Sequence, residues 1–101
     1  MKKERVIKMK NEIKEIVLNN SKLLEVHEVE NDLVIMSLDL DAYDEETDSF
    51  YRVVDYKGIQ KVGHLLAEKC KEFYPMGFNG VEFEFDNFNV KFGQCTVRDI
   101  F

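Results

Sequence analysis

Residues 81–92 read VEFEFDNFNVKF. Two runs that alternate apolar and polar residues meet at Asp86-Asn87, a pair suited to a tight two-residue connection, so the segment predicts a β-hairpin. Folding it there puts Val81, Phe83, Phe85, Phe88, Val90 and Phe92 on one face. The same register sets Glu82 opposite Lys91, a favourable cross-strand pair. A ribbon with one face this apolar needs a cover, and the flanking sequence has to supply it.

The cover on the N-terminal side is a helix. Ile59, Val62, Leu66, Cys70 and Phe73 recur at steps of three and four, Gly63 allows close approach to a sheet, and Tyr74-Pro75 is the expected stop. Asp55 stands where an N-cap belongs. Gln60, His64, Glu68 and Lys71 share the opposite face and are expected in water. On the C-terminal side, a turn at Gly93-Gln94 leads to a short last strand over Thr96 to Ile100.

Further towards the N-terminus the period is two. Val34, Met36, Leu38 and Leu40 alternate with Ser37, Asp39 and Asp41, which predicts a strand whose first set is buried. Leu23 to Val29 is its expected hairpin partner, turning at Glu30-Asn31-Asp32. A polar loop, Asp44 to Ser49, precedes a third strand from Phe50 to Asp55. From Lys2 to Asn19 the spacing of Val6, Met9, Ile13, Ile16 and Val17 predicts an amphipathic helix closed by Asn19-Asn20-Ser21. Ile7 and Leu18 project beside its main stripe.

The order is α-β-β-β-α-β-β, with a last β expected after Gly93. Helices with one apolar stripe and strands with one apolar face are most simply satisfied by two helices packed on one face of a mainly antiparallel sheet, a two-layer α+β sandwich. With 101 residues, one Pro and no repeat or Gly/Ser tract, residues 1–101 are expected to form a single domain. A hydrophobic content of 45% and twelve Phe and Tyr residues exclude an intrinsically disordered chain.

Two cysteines, Cys70 and Cys95, without C-x-x-C spacing fit reduced thiols in an intracellular protein. The N-terminus MKKERVIKMK lacks the apolar stretch of a secretion signal, and no run approaches the ~20 apolar residues of a membrane span. A soluble, cytoplasmic protein is expected, with no membrane partner. Abundant Lys, Asn, Ile and Glu without Trp suits an AT-rich bacterial or phage source.

The net charge of −6 is unevenly placed. Residues 1–22 hold seven Lys/Arg against three Glu, residues 23–56 hold eleven Asp/Glu against Arg52, and residues 57–101 balance. A clustered anionic segment repels nucleic acid and attracts basic surfaces over roughly a Debye length, ~8 to 10 Å in physiological salt. The partner expected is therefore a basic protein surface, with no direct nucleic-acid contact.

Specific chemistry finds little support in the motifs. The run Asp39 to Asp48 has carboxylates for a calcium loop, but Tyr43, Asp44 and Phe50 fall where an EF-hand needs a ligand, a glycine and a bidentate glutamate. His64 and Glu68 lie one helical turn apart, two ligands where a metal site needs more. Gly58 and Gly63 lack the G-K-[ST] of a phosphate loop. No metal and no cofactor are expected, and the chain is expected not to be an enzyme.

Two family resemblances bear on function. The α-β-β-β-α-β series with Asp39 or Asp41 and the triplet Asp55-Tyr56-Lys57 resembles the PD-(D/E)xK nuclease core. That resemblance implies a divalent metal held by two carboxylates and an assisting lysine. No Pro precedes Asp39 or Asp41, and the anionic segment opposes a polyanionic substrate. Residues 2–74 resemble a double-stranded RNA-binding domain in element order, which implies phosphate contacts from Lys57 and Lys61. Glu68 and Glu72 on the same segment work against that footprint.

In size and charge alone the chain is similar to immunity, anti-restriction and anti-CRISPR proteins. The expected function is that of a small acidic inhibitor docking a carboxylate-rich face on a basic, nucleic-acid-binding or catalytic surface. Asp39, Asp41, Asp44, Glu45, Glu46 and Asp48 would supply charge, and Tyr43, Phe50 and Tyr51 the short-range contact. The alternatives are the metal-dependent nuclease and a homodimeric or assembly protein without inhibitory role.

Overall fold

The computed structural model describes residues 2–38, 40–75 and 80–93. Helix α1 spans Lys2–Asn20, followed by strands β1 (Leu24–Val29), β2 (Asp32–Ser37), β3 (Leu40–Asp44) and β4 (Ser49–Val53). Helix α2 spans Tyr56–Lys69 and leads to β5 (Glu72–Pro75), β6 (Val81–Glu84) and β7 (Asn89–Gly93). The expected final strand over Thr96 to Ile100 lies outside the described residues.

Five strands form one sheet in the order β1-β2-β7-β6-β5, while β3 and β4 form a separate two-stranded ribbon. The main sheet is antiparallel except where β2 runs parallel to β7. Both helices cover one face, giving the two-layer α+β architecture, with Ile13 and Val17 of α1 and Ile59, Val62 and Leu66 of α2 fully buried against it. Val6, Met9 and Ile16 pack around them. Ile7 and Leu18 point outward, 59% and 69% exposed.

The β6–β7 hairpin has the expected register. Glu82 faces Lys91, Phe83 faces Val90 and Glu84 faces Asn89, and the turn closes through Phe85 N–H donating to the Phe88 carbonyl at 2.9 Å. All six residues of its apolar face are buried.

That face fixes the register of β2, and it corrects the expected burial there. Leu33 pairs with Val90 and Ile35 with Phe92, so Leu33 and Ile35 point into the core at 0% exposure. Val34 and Met36, expected inside, occupy the opposite face and are half-buried. Leu38 follows β2, and Leu40 opens β3. A central strand apolar on both faces takes its orientation from its neighbours rather than from its own alternation.

The second helix is also shorter than its stripe suggests. Cys70 turns to extended backbone (φ −83°, ψ 157°), and Lys71 N–H donates to the Glu84 carbonyl at 2.7 Å. Phe73 therefore lies on edge strand β5 opposite Phe83, their ring centroids 6.3 Å apart. Sheet pairing along β6 satisfies this backbone in place of another helical turn.

At the opposite end of α2 the cap is the expected one. Asp55 accepts from Gly58 N–H at 3.0 Å through its side chain and from Ile59 N–H at 3.0 Å through its carbonyl. Gly58 is required by close approach: a Cβ there would lie 2.2 Å from Asp55 Oδ2 and 2.9 Å from the Asn20 carbonyl oxygen.

Candidate functional site

The β3–β4 ribbon is where the acidic segment acquires a shape. Its backbone pairs Leu40 with Val53, Asp41 with Arg52, Ala42 with Tyr51, Tyr43 with Phe50 and Asp44 with Ser49. Alternation along the strands puts Tyr43 and Phe50 on one face and Tyr51 on the other. The ribbon leaves the five-stranded sheet after Ser37 and returns at Asp55, forming an arm on a molecule whose extents are 57 × 23 × 22 Å.

Local hydrogen bonds hold the arm's tip. The Asp44 carboxylate accepts from Glu46 N–H at 3.0 Å, the hydroxyls of Thr47 and Ser49 lie 2.6 Å apart, and the Tyr43 hydroxyl donates to Asp48. That last bond to a carboxylate pushes the Tyr43 hydroxyl pKa above its usual value. Asp48 adopts left-handed backbone at φ 51°, a conformation that aspartate tolerates in turns. The Tyr43 and Phe50 rings meet at 5.0 Å, tilted by 48°.

The site residues anticipated from sequence are thus largely brought together. Asp44, Glu45, Glu46 and Asp48 follow one another around the tip, beside Tyr43, Phe50 and Tyr51, which are 49%, 75% and 54% exposed. Asp41 lies lower on β3, and Asp39 falls outside the described residues.

Four further acids of residues 23–56, Glu25, Glu28, Asp32 and Asp55, serve other ends. Glu28 lies 3.9 Å from Lys10 and 3.7 Å from Lys14, Glu25 lies 2.8 Å from His27, and Asp32 lies 3.5 Å from Lys91. Asp55 is committed to the α2 cap and to the Ser21 hydroxyl, 2.9 Å away. Lys10 and Lys14 of α1 therefore reach the β1–β2 hairpin, and among the described residues no α1 lysine pairs with the arm. Among the described residues, Asp44, Glu45, Glu46 and Asp48 have no cationic partner.

The structure places Asp55-Tyr56-Lys57 at the cap and first turn of α2 rather than on a strand. The carboxylate of that triplet already accepts two hydrogen bonds. His64 and Glu68 lie on the exposed face of α2, and among the described residues no group of three or more His, Cys, Asp or Glu side chains is arranged to hold a metal ion. Cys70 has a free thiol, and burial pushes its pKa up, away from the reactive thiolate.

Lys10 is the charged residue that the sequence reading passed over. It is 7% exposed, donates to Asn31 Oδ1 at 3.1 Å and lies 5.4 Å from the Phe88 ring centroid. Asn31 in turn donates to the Asn87 carbonyl, joining the β1–β2 and β6–β7 turns. The signal was its phase: four residues after Val6 and three before Ile13, Lys10 falls on the apolar stripe.

No protein-family model, curated protein or solved structure matches this chain. Among the described residues, no helix is long and apolar enough to cross a membrane. Chemically, the arm's tip offers carboxylates without counter-ions among the described residues and aromatic surface in water, a combination that recognises cations and covers them.

Proposed function

We propose that this is a cytoplasmic binding protein whose β3–β4 arm docks on a basic site of another protein, inhibiting it by occupying a nucleic-acid-binding or catalytic surface. Immunity, anti-restriction and anti-CRISPR proteins of this size and charge work in that manner. The observation that carries the reading is the projecting tip, where Asp44, Glu45, Glu46 and Asp48 have no cationic partner among the described residues and adjoin exposed Tyr43, Phe50 and Tyr51. Anionic side chains raise the encounter rate with a cationic partner, and the rings supply area to desolvate once contact is made.

The test begins with capture of partners by the tagged protein at about 50 mM and about 500 mM salt, followed by association kinetics on the purified pair. With Asp44, Glu46 and Asp48 changed to Lys, the association rate is expected to fall by about ten-fold or more and to lose most of its salt dependence. An association rate unchanged by the triple reversal defeats the proposal.

Exposure of Ile7 and Leu18 on the outer face of α1 favours a second reading, a homodimer through that helix. Sedimentation of the wild type and of Ile7→Glu/Leu18→Glu separates the two: only the dimer dissociates on this change.

A further inference from the structure

A cleft of about 620 Å³ opens where the start of α1, the end of α2 and the β6–β7 turn meet. Val6 and Met9 of α1, with Phe85 and Phe88 of the hairpin, give it an apolar lining. The two phenyl rings stack at 5.1 Å with 6° between their planes. The charged part of the lining is Arg5, Lys69 and Lys71 against Asp86 alone, a local excess of two positive charges on a chain of net charge −6.

Arg5, Lys69 and Lys71 are exposed, and none forms an ion pair among the described residues. A fourth cation, Lys10, lies near the Phe88 ring. The cleft is also remote from the arm. Strand β2 begins at Asp32, whose carboxylate accepts from Asn89 N–H at 2.9 Å beside the β6–β7 turn, and ends at Ser37, where the chain departs for β3. A six-residue strand separates the two ends by ~20 Å.

We infer that this cleft binds a small amphipathic organic anion, its apolar body on Val6, Met9 and Phe88 and its carboxylate or phosphate among Arg5, Lys69 and Lys71. The volume is that of small-molecule sites, which run from roughly 300 to 1,000 Å³. The Arg5 guanidinium suits the paired oxygens of either anionic group. Exposed charge pairs in water are individually weak, so an anion without an apolar body is held poorly. A cation with the same body meets net repulsion, since Asp86 is outnumbered by Arg5, Lys69 and Lys71.

The probe is 8-anilinonaphthalene-1-sulfonate, followed by fluorescence on the folded protein, with decanoate as competitor. Saturable one-to-one binding is expected, displaced by decanoate but not by decyltrimethylammonium, nor by inorganic phosphate at matched ionic strength. Changing Arg5, Lys69 and Lys71 to Glu is expected to weaken probe and decanoate by about ten-fold or more. The same charge change at Lys22, Lys57 and Lys61, exposed and away from the cleft, leaves affinity within about two-fold.

Cys70 also lines the cleft, which gives a readout independent of fluorescence. In a Cys95→Ser variant, saturating decanoate is expected to slow alkylation of Cys70 by iodoacetamide. Absence of saturable binding, equal displacement by decyltrimethylammonium, equal loss in both triple variants, or unprotected Cys70 at saturation overturns the assignment.

Discussion

The Ser21 hydroxyl donates to Asp55 Oδ2 at 2.9 Å, tying the residue that follows α1 to the residue that caps α2. Ser21 is 6% exposed and also accepts from Leu23 N–H at 3.2 Å. One carboxylate thus sets the spacing of the two helices where the chain leaves the arm. Asp55→Ala is expected to cost about 2 to 3 kcal/mol, because it removes the cap and leaves a buried hydroxyl without its acceptor. Ser21→Ala should cost about 1 kcal/mol. Urea unfolding of both single variants and the double variant checks the contact, with a coupling of about 0.5 to 1.5 kcal/mol expected.

Gly58→Ala tests the close approach at the same junction. Helix propensity favours alanine by about 1 kcal/mol, yet the added methyl would meet the Asp55 carboxylate and the Asn20 carbonyl. The expected outcome is net destabilisation of about 1 to 3 kcal/mol, seen as a lower urea midpoint with an unchanged slope.

Glu30 turns the β1–β2 hairpin with φ at 57°, a backbone that most L-residues adopt at a cost of about 1 kcal/mol. Glu30→Asn is expected to stabilise the protein by about 0.5 to 1 kcal/mol, since asparagine tolerates that conformation in a two-residue turn. Thermal unfolding should show a higher midpoint. A lower one would mean that the Glu30 side chain supports the turn.

Tyr74 gives the protein a distinctive alkaline titration. Its hydroxyl donates to Glu72 Oε2 at 2.7 Å, and that bond, reinforced by the negative charges of Glu72, Glu84 and Glu82, pushes its pKa from 10.0 to about 12. The folded chain holds this proton more tightly than the unfolded chain. The resulting stabilisation is fully present below pH 10 and is lost as pH rises towards about 12. Tyrosinate absorbance should show a late step, absent in Tyr74→Phe and moved down in Glu72→Gln.

Much of the architecture was legible because it is local. The Asp86-Asn87 turn, the alternation around it, the α1 stripe and the Asp55 cap each involve residues within a few positions of one another, and the structure reproduces all of them. The misread elements depend on distant partners. Leu33 to Met36 is apolar at every position, so only pairing with Val90 and Phe92 settles which side is buried. Phe73 is in phase with the α2 stripe, but β6 draws it into a strand. The acidic residues of the arm were legible as a cluster. Their separation from Glu25, Glu28, Asp32 and Asp55 was not, because it depends on where Lys10, Lys14, His27 and Lys91 come to lie.

The parallel contact between β2 and β7 has a consequence for synthesis. Asp32 waits for Asn89, a partner 57 residues later in the chain, so the middle of the sheet closes only after the last hairpin has left the ribosome. Until then Leu33 to Met36, apolar on both faces of β2, and the strand's open edge remain available to other chains. A newborn molecule cut short before Asn89 is therefore a candidate for chaperone capture or aggregation, and β7 acts as the latch that seals the middle of the sheet.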